Sequence, residues 1–155
     1  MALLMMVGAF LMVIGYYLFL LPPVTPLTKD APSAEIVATT ILIHQKAAID
    51  WCLRTSCADG DVPADGLTLP PGYGAAPWVK SVAFGGLVST YVTGLQVNTL
   101  AIATSLGDLT TGGPSAGLTA GDSTIVARNL ATGRSAVAVV PGVPAGVPAI
   151  SQKVK

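Results

Sequence analysis

Two patterns that could do chemistry overlap in one short stretch. Gly113-Pro114-Ser115-Ala116-Gly117 spells G-x-S-x-G, the spacing of a serine nucleophile held on a sharp turn, and Gly112 to Thr119 falls one residue short of a phosphate-binding loop. The first pattern needs a strand to deliver the serine, a helix after it and a histidine in reach as general base. The only histidine is His44, and it precedes Ser115 in the chain, whereas in hydrolases with this elbow the histidine follows the serine. The second pattern needs a lysine to meet the β- and γ-phosphates, and Leu118 stands in its place before Thr119. In a chain with 17 glycines, Ser115 reads as part of a glycine-rich turn between two strands. No catalytic residue and no cofactor is expected.

Other chemistry-bearing residues fall in the middle of the chain. Asp59, Asp61 and Asp65 crowd one loop and could bind calcium, but Pro63 and Ala64 stand where a third ligand and a glycine would be, and no glutamate closes the loop. A solvated turn is the reading, with no metal site. His44 lacks a second histidine or a cysteine at ligand spacing and is placed on a helix flank. Cys52 and Cys57 are the two cysteines. In a continuous helix Cα atoms five residues apart lie roughly 8 Å from each other, beyond the roughly 7 Å a disulfide tolerates. A bridge therefore requires a helix end between them, and Thr55-Ser56 and Asp59-Gly60 are stop and turn residues. A structural disulfide Cys52–Cys57 is the reading taken; two buried free thiols, or a metal or redox pair, are the alternatives. Such a bridge persists in an oxidising compartment.

The elements that must hold these residues follow from periodicity. Asp30 or Ser33 can cap a helix with Glu35 in its first turn, and from Glu35 to about Arg54 apolar residues recur near every 3.6 positions. Lys46, Asp50 and Arg54 are spaced for solvent-side ion pairs. Beyond Cys57 the apolar runs become short and β-branched: Trp78 to Phe84, Leu87 to Val92, Thr124 to Ala127 and Ala136 to Val140 read as strands, divided by turns such as Gly85-Gly86. Val97 to Leu106 is ambiguous between helix and strand. The Val-Pro-Gly-Val-Pro-Ala-Gly-Val-Pro segment reads as extended or as a sheet edge, because its prolines cannot donate to a ladder.

Hydrophobic residues make up 52% of the 155 and charged residues 10%, against about 25% charged in an ordinary soluble domain. All charged residues follow Leu21, and the net charge is zero. That leaves no one-sided basic field, so no nucleic-acid partner is expected. Met1 to Leu21 is long enough to cross a hydrocarbon core of about 30 Å as a helix, and it lacks the basic n-region of a secretory signal. The reading is a retained anchor, with a cleaved signal or a core helix as alternatives. The expected organisation is residues 1–22 as transmembrane anchor, 23–32 as proline-rich linker and 33–155 as one small periplasmic domain. The expected fold class is α+β: an N-terminal transmembrane helix, one amphipathic helix, then a small, mostly antiparallel sheet.

Gln45-Lys46-Ala47-Ala48 with Trp51, then Gly66, Leu67-Thr68-Leu69-Pro70 and Gly72, then Trp78, and finally Val143-Pro144-Ala145-Gly146-Val147 together resemble the PilM family of conjugative-plasmid type IVb thin-pilus biogenesis proteins. The resemblance implies a non-catalytic, membrane-anchored component of a pilus assembly or basal apparatus. It would be localised to the bacterial inner membrane with its C-terminal domain periplasmic. Its partners would be inner-membrane lipid, other pilus-assembly proteins and a possible second copy of itself, and no functional site residue transfers with the resemblance. The alternative is a pilin- or pseudopilin-like fibre subunit. Against it, Gly8 offers a processing glycine, but the leader has no Lys or Arg, and Val13 stands where such subunits carry a glutamate.

Overall fold

The computed structural model describes residues 32–154 except 96, 111–114, 122–123, 130–132 and 139–140; in 127–129 and 133–138 it describes the backbone alone. Helix α1 (Ala34–Thr55) starts where Ser33 accepts the Ile36 N–H at 3.3 Å, with Glu35 in the first turn. It stops at Ser56, which turns left-handed at φ 57° and returns its N–H to the Cys52 carbonyl. The buried stripe is Val37, Ala38, Ile41, His44, Gln45, Ala48 and Cys52, a spacing of three and four. His44 is therefore a core-facing residue rather than a flank residue. On a 3.6-residue turn it falls between Ile41 and Ala48, while Ile36 is left 59% exposed.

The rest of the fold is one antiparallel sheet with a second helix set into it. Strands β1 (Gly60–Asp61), β2 (Val79–Phe84) and β3 (Leu87–Val92) precede helix α2 (Thr99–Leu109); β4 (Ala116–Ala120), β5 (Thr124–Asn129), β6 (Gly133–Ala138) and β7 (Pro148–Lys153) follow it. Their order in the sheet is β1-β2-β3-β7-β4-β5-β6. The Asn98 side chain accepts the Ala101 N–H at 3.1 Å and so decides the ambiguous stretch in favour of α2. Gly85 and Gly86, at φ 57° and 78°, form the two-residue turn that sets Phe84 opposite Leu87.

One face of the sheet packs on both helices. Val37, Ile41, Ile102 and Leu106 are fully enclosed against Val92, Ala116 and Ile150, each large side chain contributing about 1.5–3 kcal/mol by leaving water. On the opposite face Val143 and Val147 pack with Tyr91, Ile125 and Ala149. Hydroxyls are buried in pairs between the strands: Ser81 with Thr90 at 2.7 Å, and Ser89 with Ser151 at 2.9 Å. Each pair satisfies polar atoms that would otherwise weaken the core.

The expected fold class needs correction. Among the described residues no helix is long and apolar enough to cross a membrane. Met1 to Leu21, where the span was expected, lies outside the described residues, as does the proline-rich linker to Ala31. Among the described residues there are two helices, where one amphipathic helix was expected, and a sheet of seven strands. β1, β4 and β7 had no counterpart in the sequence reading. β7 is a central strand although Pro148 opens it. Pro148 is opposite Leu118 of β4, but the β3 ladder begins one residue later, at Tyr91 opposite Ala149, so that ladder loses no donor.

Candidate functional site

A pocket of about 410 Å³ opens at the β1–β2 end of the sheet, between that edge, α1 and the loop that runs from Ala64 to Pro77. Val62, Leu67, Ala76, Pro77 and Val79 give it an apolar wall; Asp61, Lys80, Ser81 and His44 supply its polar groups. A smaller cleft of about 240 Å³, between the start of α2 and Pro144 to Pro148, is lined by no charged residue.

The loop over the larger pocket is tied to α1 at several points. Trp51 packs so closely on Gly66 that a Cβ there would lie 2.8 Å from the indole Nε1. Arg54 donates to the Asp50 carbonyl and the Thr68 hydroxyl, both at 3.2 Å. Cys52 and Cys57 form a disulfide with their Cα atoms 4.2 Å apart, and α1 ends between them. His44 takes the N–H of Ala76 on Nε2 at 3.5 Å. Burial pushes its imidazole below the usual 6.5, opposed by a backbone hydrogen bond with Gly74 that favours the charged ring. An imidazole that accepts at Nε2 is neutral, so His44 acts as a fastening for the loop. One turn along, Gln45 donates from Nε2 to the Val88 carbonyl at 3.0 Å, while its buried Oε1 has no partner among the described residues.

The residues considered for chemistry do not converge. Ser115 precedes β4 in a turn, and its carbonyl accepts the Ser151 N–H at 2.8 Å. The elbow needs a strand before the serine, and here the strand follows it. The turn also joins a helix to a strand rather than two strands; Gly112 to Pro114 lie outside the described residues. Asp59 accepts the Gly85 N–H at 2.8 Å and so holds the β2–β3 turn, while Asp61 lies in β1 and Asp65 in a short 3-10 turn, Ala64–Gly66. Among the described residues no three His, Cys, Asp or Glu side chains gather as a metal site.

The residues that carried the resemblance fall in three clusters, one of them around the loop over the pocket. Trp51 rests on Gly66, Leu67 packs on the same cluster, Ala48 lies beneath them, and Thr68 holds Arg54. Trp78 packs against the helix-facing core, and Val143 and Val147 close the opposite face. The PilM family model matches residues 7–150. This chain belongs to the PilM family. Membership supports a pilus-related role. A solved structure of a Pseudomonas aeruginosa 2192 protein, provisionally assigned as PilM, is also similar: 17% identity, 79% of this chain and 98% of that one covered, TM-score 0.44. No curated protein sequence matches.

Sequence reasoning missed the part played by His44. The signal was present, since His44 lies three residues after Ile41 and four before Ala48, on the line of the buried stripe.

Proposed function

We propose that this PilM-family chain is a non-catalytic component of a type IVb or conjugative pilus assembly apparatus, acting through protein–protein contacts on the periplasmic side. The observation that carries this reading is the family match over residues 7–150. Two features support it. His44 is committed to the Gly74–Ala76 backbone rather than aimed at a nucleophile, and Ser115 sits ahead of its strand. The Cys52–Cys57 bridge favours an oxidising compartment.

Crosslinking in cells that assemble the pilus tests the reading: the chain should recover other pilus-machinery proteins, and recovery of none would count against it. A fluorophosphonate probe should label the chain and its Ser115→Ala variant equally, and labelling that depends on Ser115 would make it an enzyme. Alkylation of intact cells before lysis should leave both thiols unmodified, and a fully alkylated pair would place the domain in a reducing compartment.

A further inference from the structure

The two ends of the sheet differ. β1 is two residues long, and Pro63 has no N–H with which to extend it. β6 pairs with β5 from Gly133 to Ala138 without a bulge, contains no proline, and among the described residues has no strand on its far side. The ladders fix which of its backbone groups face outward. Ser151 N–H donates to the Ser115 carbonyl at 2.8 Å and Thr119 N–H to the Val147 carbonyl at 3.0 Å, so Gly117 and Thr119 of β4 turn toward β7. Leu118 and Ala120 then turn toward β5, opposite Val126 and Thr124, which leaves Ile125, Ala127 and Asn129 to bond Val137, Ser135 and Gly133 of β6. The N–H and C=O groups of Arg134, Ala136 and Ala138 therefore project from the open edge. In the same register Arg134 is directly opposite Arg128, a like-charge pair at cross-strand spacing.

We propose that β6 is extended by an antiparallel segment of a partner protein that carries an acidic residue opposite Arg134. In antiparallel pairing the incoming residues opposite Arg134, Ala136 and Ala138 each exchange both backbone hydrogen bonds with them. These contacts supply affinity for any extended chain, so the choice of partner falls to charge. An aspartate or glutamate opposite Arg134 answers two neighbouring arginines, whereas a neutral segment leaves them opposed and a basic one adds to them. A second copy of this chain fits less well. Gly-Arg-Ser-Ala-Val-Ala contains no carboxylate, and pairing β6 with itself would bring two more arginines to the same seam. Arg134 thus closes the edge to most strands and opens it to an acidic one.

The proposal deepens the protein-contact reading above and rests on it only for the partner's identity. The test is titration of the 15N-labelled full chain with the acetylated, amidated hexapeptide Val-Thr-Val-Thr-Glu-Thr. Its glutamate falls opposite Arg134, and its β-branched residues favour an extended backbone. Hydrogen exchange should slow at the amides of Arg134, Ala136 and Ala138 and stay unchanged at Ser135 and Val137, which already bond β5. Methylating the nitrogen of the third peptide residue removes the donor to the Ala136 carbonyl and should weaken binding roughly tenfold or more. Methylating that of the fourth, which turns away from β6, should change it by less than about twofold. Lysine in place of the glutamate should weaken binding about fivefold, and Arg134→Glu should accept the lysine peptide and reject the original. Unslowed exchange at Ala136 at millimolar peptide would overturn the proposal, as would equal binding of the two methylated peptides or of the lysine peptide. Protection of these amides that grows with protein concentration before peptide is added would overturn it in favour of a second copy. If crosslinking recovers pilus proteins but the peptide fails, the edge assignment falls and the functional reading stands; the opposite result removes the functional reading alone.

Discussion

At the scale of single residues, two positions couple the loop over the pocket to α1, and each makes a separate prediction. Gly66→Ala would place a methyl 2.8 Å from Trp51 Nε1 and 3.3 Å from Pro63 Cγ, so either the indole or the loop must move. The expected cost is about 1–3 kcal/mol in urea unfolding. Gly74→Ala, which meets nothing within 4 Å, should change stability by no more than about 0.5 kcal/mol. His44 makes the loop sensitive to acid. Its folded-state pKa lies below the unfolded value of 6.5, so on acidification the unfolded chain takes up the proton first. The contribution of neutral His44 is complete above about pH 6.5 and declines as the pH falls from there toward the lowered folded value. A proton on Nε2 would also meet the Ala76 N–H head-on. Thermal melts should therefore show a slope below pH 6.5 that His44→Gln flattens, and equal slopes in the two proteins would contradict this account.

Among the elements, α1 and the β2–β3 hairpin were legible because their signals are local. A Ser cap, an acidic first turn and a 3.6-residue stripe mark the helix; alternation around two glycines marks the hairpin. α2 was readable as an element but not by type, since Val97 to Leu106 is apolar enough for either structure and the Asn98 cap decides between them. β4 and β7 were not legible. Ala116 to Ala120 is short, and Pro148 to Lys153 opens on a residue that normally argues against a central strand; both owe their conformation to neighbours far along the chain. The pocket was equally hidden, because it forms only where the end of β1, the edge of β2 and His44 meet. The disulfide, by contrast, was readable from the stop residues between its cysteines. Replacing Cys52 and Cys57 together by Ala should lower stability by about 2 kcal/mol, as expected for closing so short a loop. The loss should be greatest in amide protection of the last turn of α1 and of Val62 to Leu67, and a loss spread evenly over the sheet would show that the bridge does not act locally.

For the molecule as a whole, β7 is the strand on which the sheet depends. It pairs with β3 along Leu87 to Tyr91 and with β4 along Ala116 to Leu118, so no other strand can stand in for it. A chain stopped after Val147 should lose protease resistance throughout, and one that keeps a protected β1–β3 and α1 unit would show that the halves fold separately. The strand placed at the middle of the sheet is also the one that arrives last of the seven in chain order. While the ribosome is still making the polypeptide, β1–β3 and β4–β6 lack the strand that joins them, and on this account the sheet closes only when β7 has emerged. On the periplasmic placement proposed above, that delay would be an advantage: a nascent chain loose enough to pass a translocation channel would set only after its final rung has been delivered.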